Sequence, residues 1–459
     1  MANTNRRNFL KTSAVVAGTT MLTAPTVASS VRSANDRIRI GLVGMGNRMR
    51  FHVNSYLQMA KDGNVEIAAI CDCDQSRLDT ARKSYPALAE KQVAVYHDFR
   101  KLLDDKSIDV VDFSTQDHWH ALQTILACQA GKDVYVEKPA SHNIWEGRKM
   151  IEAARKYNRM VQVGMQNRSS PNVMEGIQKL HEGVIGKLYM ARGVAYKMRG
   201  HLGNHRARPV PPGLNWDAWV GPAKMVDFSN FNHRRWYWNS NFASGDIANQ
   251  TCHDLDLIRW GLGLDTHPSV MMSLGGRYVP AETDAADTPN TQSLVCQWED
   301  RNLQVSFEVR HWYTNSEAEM RDKYPFVEPN AVVGVMFFGS EGYMIIPDYT
   351  SYYVFLGPNR EPGPHATAGQ TTDLNKSLAN LPHFQNWIAA CRSRKREDLH
   401  ADIEQGHLST SMCHLAKISN RLKRSVRLDP KTERFIGDDD ANGLLKREYR
   451  EPYVVPEQV

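Results

Sequence analysis

From residue 38 to residue 164 the chain repeats one alternation, a short apolar run followed by a stretch long enough for a helix. The apolar runs fall at 38–44 (IRIGLVG), 65–72 (VEIAAICD), 93–96, 109–115 (DVVDFST), 133–136 and 160–164; helix-compatible stretches lie between them at 47–60, 75–83, 118–130 and 144–157. Strands that are apolar on both faces need cover on both faces. That requirement predicts a parallel sheet with helices on either side, a doubly wound α/β domain. Beyond about residue 170 the pattern changes. A helix-like segment at 172–181 leads into strand-like runs at 187–197, 270–278, 293–299, 303–312, 332–338 and 343–346, with Gly339-Ser340-Glu341-Gly342 as a turn. Strands in succession with few helices between them predict a largely antiparallel open sheet. Helices at 381–391 and 404–422 close the chain, and no internal repeat is visible.

The chain is long enough, at 459 residues, for two domains. With 41% hydrophobic and 23% charged residues it can bury a large core, which excludes disorder as the main state. No run of 18 apolar residues exists, so no stable membrane insertion is expected. The formal charge of +5 is partly due to Arg6, Arg7 and Lys11, and what remains gives no overall attraction to nucleic acid. The one dense basic cluster, Arg392, Arg394, Lys395 and Arg396, reads as a solvated helix end. Seven cysteines, without a Cys-x-x-Cys, predict buried free thiols. Cys71 and Cys73, two apart, are expected on one face of their strand.

The first residues read as an address. Arg6-Arg7-Asn8-Phe9-Leu10-Lys11 precedes a moderately apolar stretch rich in Ala, Thr and Gly, with small residues around Ala28. A charged start, an apolar middle and a small-residue end make an export signal over residues 1–28. Its paired arginines are similar to the twin-arginine (Tat) signal, whose route carries folded proteins. The expected partner is therefore the Tat machinery and the expected location the periplasm, with a cofactor loaded before export.

The first strand runs into Gly44-Met45-Gly46-Asn47-Arg48-Met49. Gly44 and Gly46 supply the tight turn and close backbone approach that a dinucleotide pyrophosphate needs, with the phosphates on the next helix's N-terminus. Met49 stands where the fingerprint has Gly or Ala. Asp72 ends the second strand, where an acid takes the ribose hydroxyls; a carboxylate there repels a 2′-phosphate and favours NAD over NADP. Asp74 is the competing acid. This reading makes residues 37–168 an NAD-binding Rossmann domain and residues 169–459 a substrate-binding α/β domain.

Strand five ends in Glu137-Lys138-Pro139, and strand four in Ser114-Thr115-Gln116-Asp117-His118-Trp119-His120. With the glycine turn and the strand-two acid, the chain resembles the Gfo/Idh/MocA oxidoreductases over nearly everything after residue 37, including Asn215-Trp216-Asp217-Ala218-Trp219-Val220-Gly221-Pro222. The resemblance implies a Rossmann domain joined to an open-sheet α/β domain, and homo-oligomers formed through that sheet. It implies a cofactor set of Gly44, Gly46, Asn47, Arg48, Asp72, Thr115, His118, His120, Glu137 and Lys138, with Lys138 assisting proton transfer. The family's Asp-x-x-x-His pair corresponds to Asn249 and His253. His253 is thus a candidate general acid/base, whereas an amide at 249 binds a hydroxyl but takes no proton. Asp256, three residues on, is a candidate to orient His253. No metal is expected, because dinucleotide redox chemistry needs none.

Trp216, Trp219, Phe228, Phe231, Trp236, Tyr237 and Trp238 crowd one segment around His233, Arg234 and Arg235. Aromatic faces pack on sugar C–H surfaces, and Trp236 and Tyr237 join Asn249 and Asp256 as candidate substrate contacts. The expected function is hydride transfer between a tightly held nicotinamide and a sugar, polyol or glycoside. Its alternative is an NAD-dependent glycoside hydrolase working by transient oxidation and elimination, which Asn249 favours. A non-catalytic sensor on this fold would have no use for Lys138 and His253.

Overall fold

In the first domain the apolar runs form six strands: β1 (Ile38–Val43), β2 (Val65–Cys71), β3 (Ala94–Tyr96), β4 (Val110–Phe113), β5 (Asp133–Val136) and β6 (Val161–Val163). Every pair is parallel and the order is β3-β2-β1-β4-β5-β6, the doubly wound dinucleotide-binding order. Helices α1 (Met49–Lys61), α2 (Gln75–Ser84), α3 (Phe99–Asp104), α4 (Asp117–Gln129) and α5 (Ile144–Lys156) make the crossovers. This computed structural model describes residues 37–279, 284–312, 331–367 and 380–459; the expected export signal at 1–28 lies outside the described residues.

After α6 (Pro171–His181) the second sheet begins with β7 (Leu188–Lys197). It continues with β8 (Val270–Gly276), β9 (Thr291–Trp298), β10 (Leu303–Arg310), β11 (Ala331–Gly339), β12 (Gly342–Ile346), β13 (Tyr352–Leu356), β14 (Glu361–Ala366), β15 (Val426–Asp429) and β16 (Arg434–Phe435). The order is β14-β13-β12-β11-β7-β10-β9-β8-β15-β16, antiparallel except for β7 beside β10. Between β7 and β8 the chain runs through short helices, α7 (Trp216–Val220), α8 (Asn230–Arg234) and α9 (Asp246–Asn249), into α10 (Thr251–Gly261).

The last two long helices join the halves. In α11 (Leu381–Ser393), Phe384, Trp387 and Ile388 share one core cluster with Ile40 and Leu42 of β1 and Val53 of α1. Truncating Phe384 to Ala should therefore destabilise the first domain by about 3–5 kcal/mol. In α12 (Ile403–Leu422), buried residues run round most of the helix and include Leu408, Met412 and Leu415, as suits an element packed on several sides. It contacts α5 on one side and α10 and β8 on the other.

The cysteine expectation needs one correction. All seven thiols are free and six are buried, but β2 stops at Cys71. Cys71 packs into the main core, while Cys73, past the strand end, packs beside Trp216 and Trp219. The pleat no longer relates their side chains. The late basic cluster is a helix end, as expected: Arg394 leaves α11 in a left-handed conformation, donates to the carbonyl of Asn158 and pairs with Asp133.

Candidate active site

Strand order reverses direction between β1 and β4, so the crossovers leave in opposite senses and open a crevice at their carboxyl ends. A cleft of about 640 Å³ begins there and runs to the second sheet. Gly44 follows β1 with φ +88°, and a Cβ at this position would lie 2.8 Å from the carbonyl oxygen of Ser114. Only glycine can make this turn. A Cβ on Gly46 would meet nothing within 4 Å, so this backbone faces open cleft. Among the described residues, no protein acceptor meets the amides of Gly46, Asn47 or Arg48 as they lead into α1. A bare backbone over open space, with unbonded amides at a helix start, fits a pyrophosphate.

Asp72 stands where the ribose acid was expected. Its carboxylate accepts from the amides of Met45 (2.7 Å) and Asp74 (3.0 Å), tying the glycine turn to the end of β2. Burial pushes its pKa up to about 6, against the lowering by those amides. Asp74 instead caps α2, accepting from the amide and hydroxyl of Ser76.

Across the crevice, Glu137 accepts from Arg48 Nε (2.9 Å) and Gln166 (2.8 Å) and meets His52 Nε2 at 3.1 Å. Burial alone would raise its pKa; Arg48, His52 and Lys138 overcome that and hold it well below the carboxylate range. His52 bonds Asp112 through Nδ1 at 2.9 Å, and Tyr56 donates to the same carboxylate at 2.6 Å. This buried network fixes the loop that carries Lys138.

Lys138 spans the domains. Its ammonium donates to the backbone oxygen of Asn249 at 2.6 Å and to Asn249 Oδ1 at 3.2 Å. A third proton remains for a ligand oxygen. Asn249 ends α9, and His253 lies in the first turn of α10 after a break at Gln250, so the two stand on separate helices. Both residues still line the cleft. His253 Nδ1 is buried without a partner. Burial, then the charge of Lys138, holds this imidazole well below its usual pKa, so it is neutral at physiological pH. Trp236 and Tyr237 stack on each other, with centroids 3.8 Å apart, and line the same wall.

The structure thus brings Gly44, Gly46, Asn47, Arg48, Asp72, Thr115, Glu137, Lys138, Trp236, Tyr237, Asn249 and His253 to one cleft. Three expected residues stand outside it. His118 turns inward, its Nε2 3.2 Å from the carbonyl oxygen of Trp219, and burial lowers its pKa to about 3. His120 bridges the carbonyl oxygens of Pro139 (2.7 Å) and Thr115 (3.2 Å), joining the two strand-end loops from behind. Asp256 does not orient His253: it pairs with Arg168 at 2.7 Å and accepts from Ser409 at 2.6 Å. The helical arc from 253 to 256 carries it round to the core side.

Asp117, Gln250 and Tyr349 also line the cleft and were not singled out. Burial lifts Asp117 to about 7, and the sequence offered it inside the run that ends β4. Tyr349 follows β12, its ring centroid 5.7 Å from that of His253 and its hydroxyl bonded by Gln250. Only the three-dimensional fold brings it here. Away from the cleft, His267 and His407 approach Glu433 Oε1 at 2.6 and 2.7 Å. Arg148 Nε donates to the other oxygen at 3.0 Å, so this cluster is a buried ion-pair hub with its carboxylate already neutralised.

Comparison with known proteins agrees with this architecture. Residues 38–165 match the model of an oxidoreductase family with an NAD-binding Rossmann fold, and residues 365–455 match the C-terminal alpha/beta domain of the same family. Glycosyl hydrolase family 109 proteins of Shewanella sp. and Shewanella putrefaciens are 29% and 30% identical over 209 residues. Those matches cover 41% of this chain and 45% of each relative, so the chain matches less than half of the relatives' length. Levoglucosan dehydrogenase, solved with NADH and levoglucosan, superposes with a TM-score of 0.64 at 17% identity, over 85% of this chain and 99% of that one. The WlbA dehydrogenase of Bordetella pertussis, solved with NADH and UDP-GlcNAcA, gives 0.61 at 18%, over 86% and 99%. At such identities the likeness is one of fold. With both domain models matched in chain order, around a glycine turn built for a dinucleotide, the chain is similar to the Gfo/Idh/MocA oxidoreductases in both domains, and residues 38–165 form an NAD-binding Rossmann domain.

Proposed function

We propose that this protein is an NAD-dependent oxidoreductase acting on a sugar, polyol or glycoside. The observation that carries the reading is the convergence of Lys138 and His253 on the cleft that begins at the glycine turn. Gly44, Gly46, Asn47 and Arg48 would hold the pyrophosphate and Asp72 a ribose. Bound NAD would supply the redox step, accepting a hydride from the substrate's carbinol carbon and passing it to the carbonyl carbon of a second sugar, which leaves as the alcohol and restores NAD. The protein's own part is proton handling and placement. Lys138, fixed by Asn249, presents an ammonium proton to the substrate oxygen and stabilises developing negative charge there. The neutral His253 takes a proton, and Trp236 and Tyr237 offer an aromatic wall to the sugar's C–H face.

A second reading rests on Asn249 and on the glycosyl hydrolase family 109 relatives. Oxidation of a carbinol carbon acidifies the neighbouring C–H; a base removes that proton, the aglycone leaves, water adds and the carbon is reduced again. The net reaction is glycoside hydrolysis with no consumption of NAD. Mass spectrometry of products from a sugar and glycoside panel, without added NAD, separates the readings. Aglycone release supports the hydrolase, keto-sugar without release supports the dehydrogenase, and neither product sinks both.

Export by the twin-arginine route to the periplasm fits a resident, self-resetting cofactor. Arg6→Lys with Arg7→Lys should keep the protein in the cytoplasm, and efficient export of that variant would rule the route out. Homo-oligomers through the second sheet are supported by its outer face, where Leu274 on β8 and Val295 on β9 are exposed.

A further inference from the structure

We propose that Arg77 and Arg234, one from each domain, form a two-sided phosphate clamp at the adenosine end of the cleft. The inference rests on the dinucleotide reading and adds what the glycine turn does not show: a contribution of the second domain to holding the cofactor. Arg77 lies in the first turn of α2, five residues past Asp72, and Arg234 ends α8. Both line the cleft, and neither guanidinium has a hydrogen bond or ion pair among the described residues. The other arginines lining it are occupied, Arg48 by Glu137 and Arg100 by Asp98.

The rim that carries these two side chains is stitched together. Residues 213–215 of the second domain pair with 73–75 of the first, through Gln75 N to Gly213 O and Asn215 N to Cys73 O, both 2.9 Å. His233, next to Arg234, lies 3.8 Å from the Asp74 carboxylate. Burial brings that imidazole down to about 4, so it adds no charge near neutrality. Both guanidiniums act on His233, which places two cationic side chains around one point of the rim, where an anion can be shared between them. The planar fork of arginine suits phosphate oxygens. With NAD in the cleft the phosphate to be held is the pyrophosphate; a 2′-phosphate, which Asp72 opposes, has the same chemistry and is separated from it by the test.

The test is equilibrium binding of adenosine, ADP and adenosine 2′,5′-bisphosphate to the full chain stripped of dinucleotide. Arg77→Met and Arg234→Met should each weaken phosphate-bearing ligands by roughly tenfold to a hundredfold, the range for charge-assisted hydrogen bonds. Adenosine should change by less than about twofold, which separates a phosphate clamp from stacking on the base. The double variant should lose less than the product of the single effects, because both groups share one anion. Arg234→Lys, which keeps the charge without the fork, should fall between wild type and Arg234→Met. A loss confined to the 2′,5′-bisphosphate assigns the clamp to the 2′-phosphate; a loss shared by ADP assigns it to the pyrophosphate. Equal effects on adenosine and ADP, or no effect in either single variant, would overturn the clamp and leave the dinucleotide reading standing. Wild-type protein that bound none of the three ligands and no NAD would overturn that reading instead.

Discussion

Replacing Lys138 by Met removes one charge and keeps much of the stem's volume, so chemistry and stability can be read separately. Two of the three ammonium protons are spent on Asn249, at 2.6 and 3.2 Å, and the third is free for substrate. Loss of a placed proton-transfer group costs about 10²–10⁴ in turnover, or about 3–5 kcal/mol of barrier at 1.36 kcal/mol per decade. The backbone oxygen of Asn249 also loses its donor, which costs about 1–3 kcal/mol of stability and should appear as a lower Tm. A third effect concerns His253. Burial and then Lys138 hold its pKa down, so removing the ammonium should raise it and move the acid limb of the pH–rate profile upward. The assay is turnover against pH on the identified substrate, with NAD affinity and Tm measured on the same preparation. NAD affinity should hold, since Lys138 is assigned to the substrate oxygen. Full turnover in Lys138→Met, or a loss explained wholly by missing dinucleotide, would refute the reasoning.

NAD affinity should rise as pH is raised through about 6, because only the ionised Asp72 serves as a full acceptor for ribose hydroxyls. In titration calorimetry Asp72→Asn should bind more weakly and flatten that dependence. The sign for stability is opposite: the unliganded fold holds this proton more tightly than the unfolded chain. The Asp72 contribution therefore declines from the ordinary carboxylate range up to about 6. Glu433 behaves the other way. Despite burial, His267, His407 and Arg148 hold it far below its ordinary pKa, so its stabilisation is present at neutral pH and is lost as pH falls below the carboxylate range. Thermal melts of Glu433→Gln should show a lower Tm than wild type at neutral pH and a gap that narrows on acidification. Asn249→Asp should raise simple alcohol oxidation relative to glycoside cleavage if the amide suits the hydrolytic cycle; an unchanged product ratio in chromatography would remove that role.

The first domain was readable because parallel strands buried on both faces leave near-continuous apolar runs, and each of β1 to β6 lies within two residues of its run. Helix α3 went unseen: at six residues it is too short to show a period. Strands β13 to β16 were missed for a different reason. β14, Glu361–Ala366, contains two prolines and a glycine and has no buried residue, which fits an edge strand and leaves no apolar signal. Within the cleft, residues at strand ends were legible because topology alone puts such positions together. His118, His120 and Asp256 were misplaced because residues on one helix share a neighbourhood without sharing a face, and one side of α4 and α10 packs inward. Tyr349 and the rim formed by Arg77 and Arg234 depend on contacts across the chain that no local pattern encodes.

The most direct test of the central claim is anaerobic mixing of the purified protein, carrying its own dinucleotide, with the identified substrate while near-ultraviolet nicotinamide absorbance is followed. Absorbance should rise as the carbinol is oxidised, decay within the cycle if the same site then reduces the product, and rise about 10²–10⁴-fold more slowly in Lys138→Met. Product formed at full rate with no change in that absorbance, from protein that releases no dinucleotide on denaturation, would contradict it.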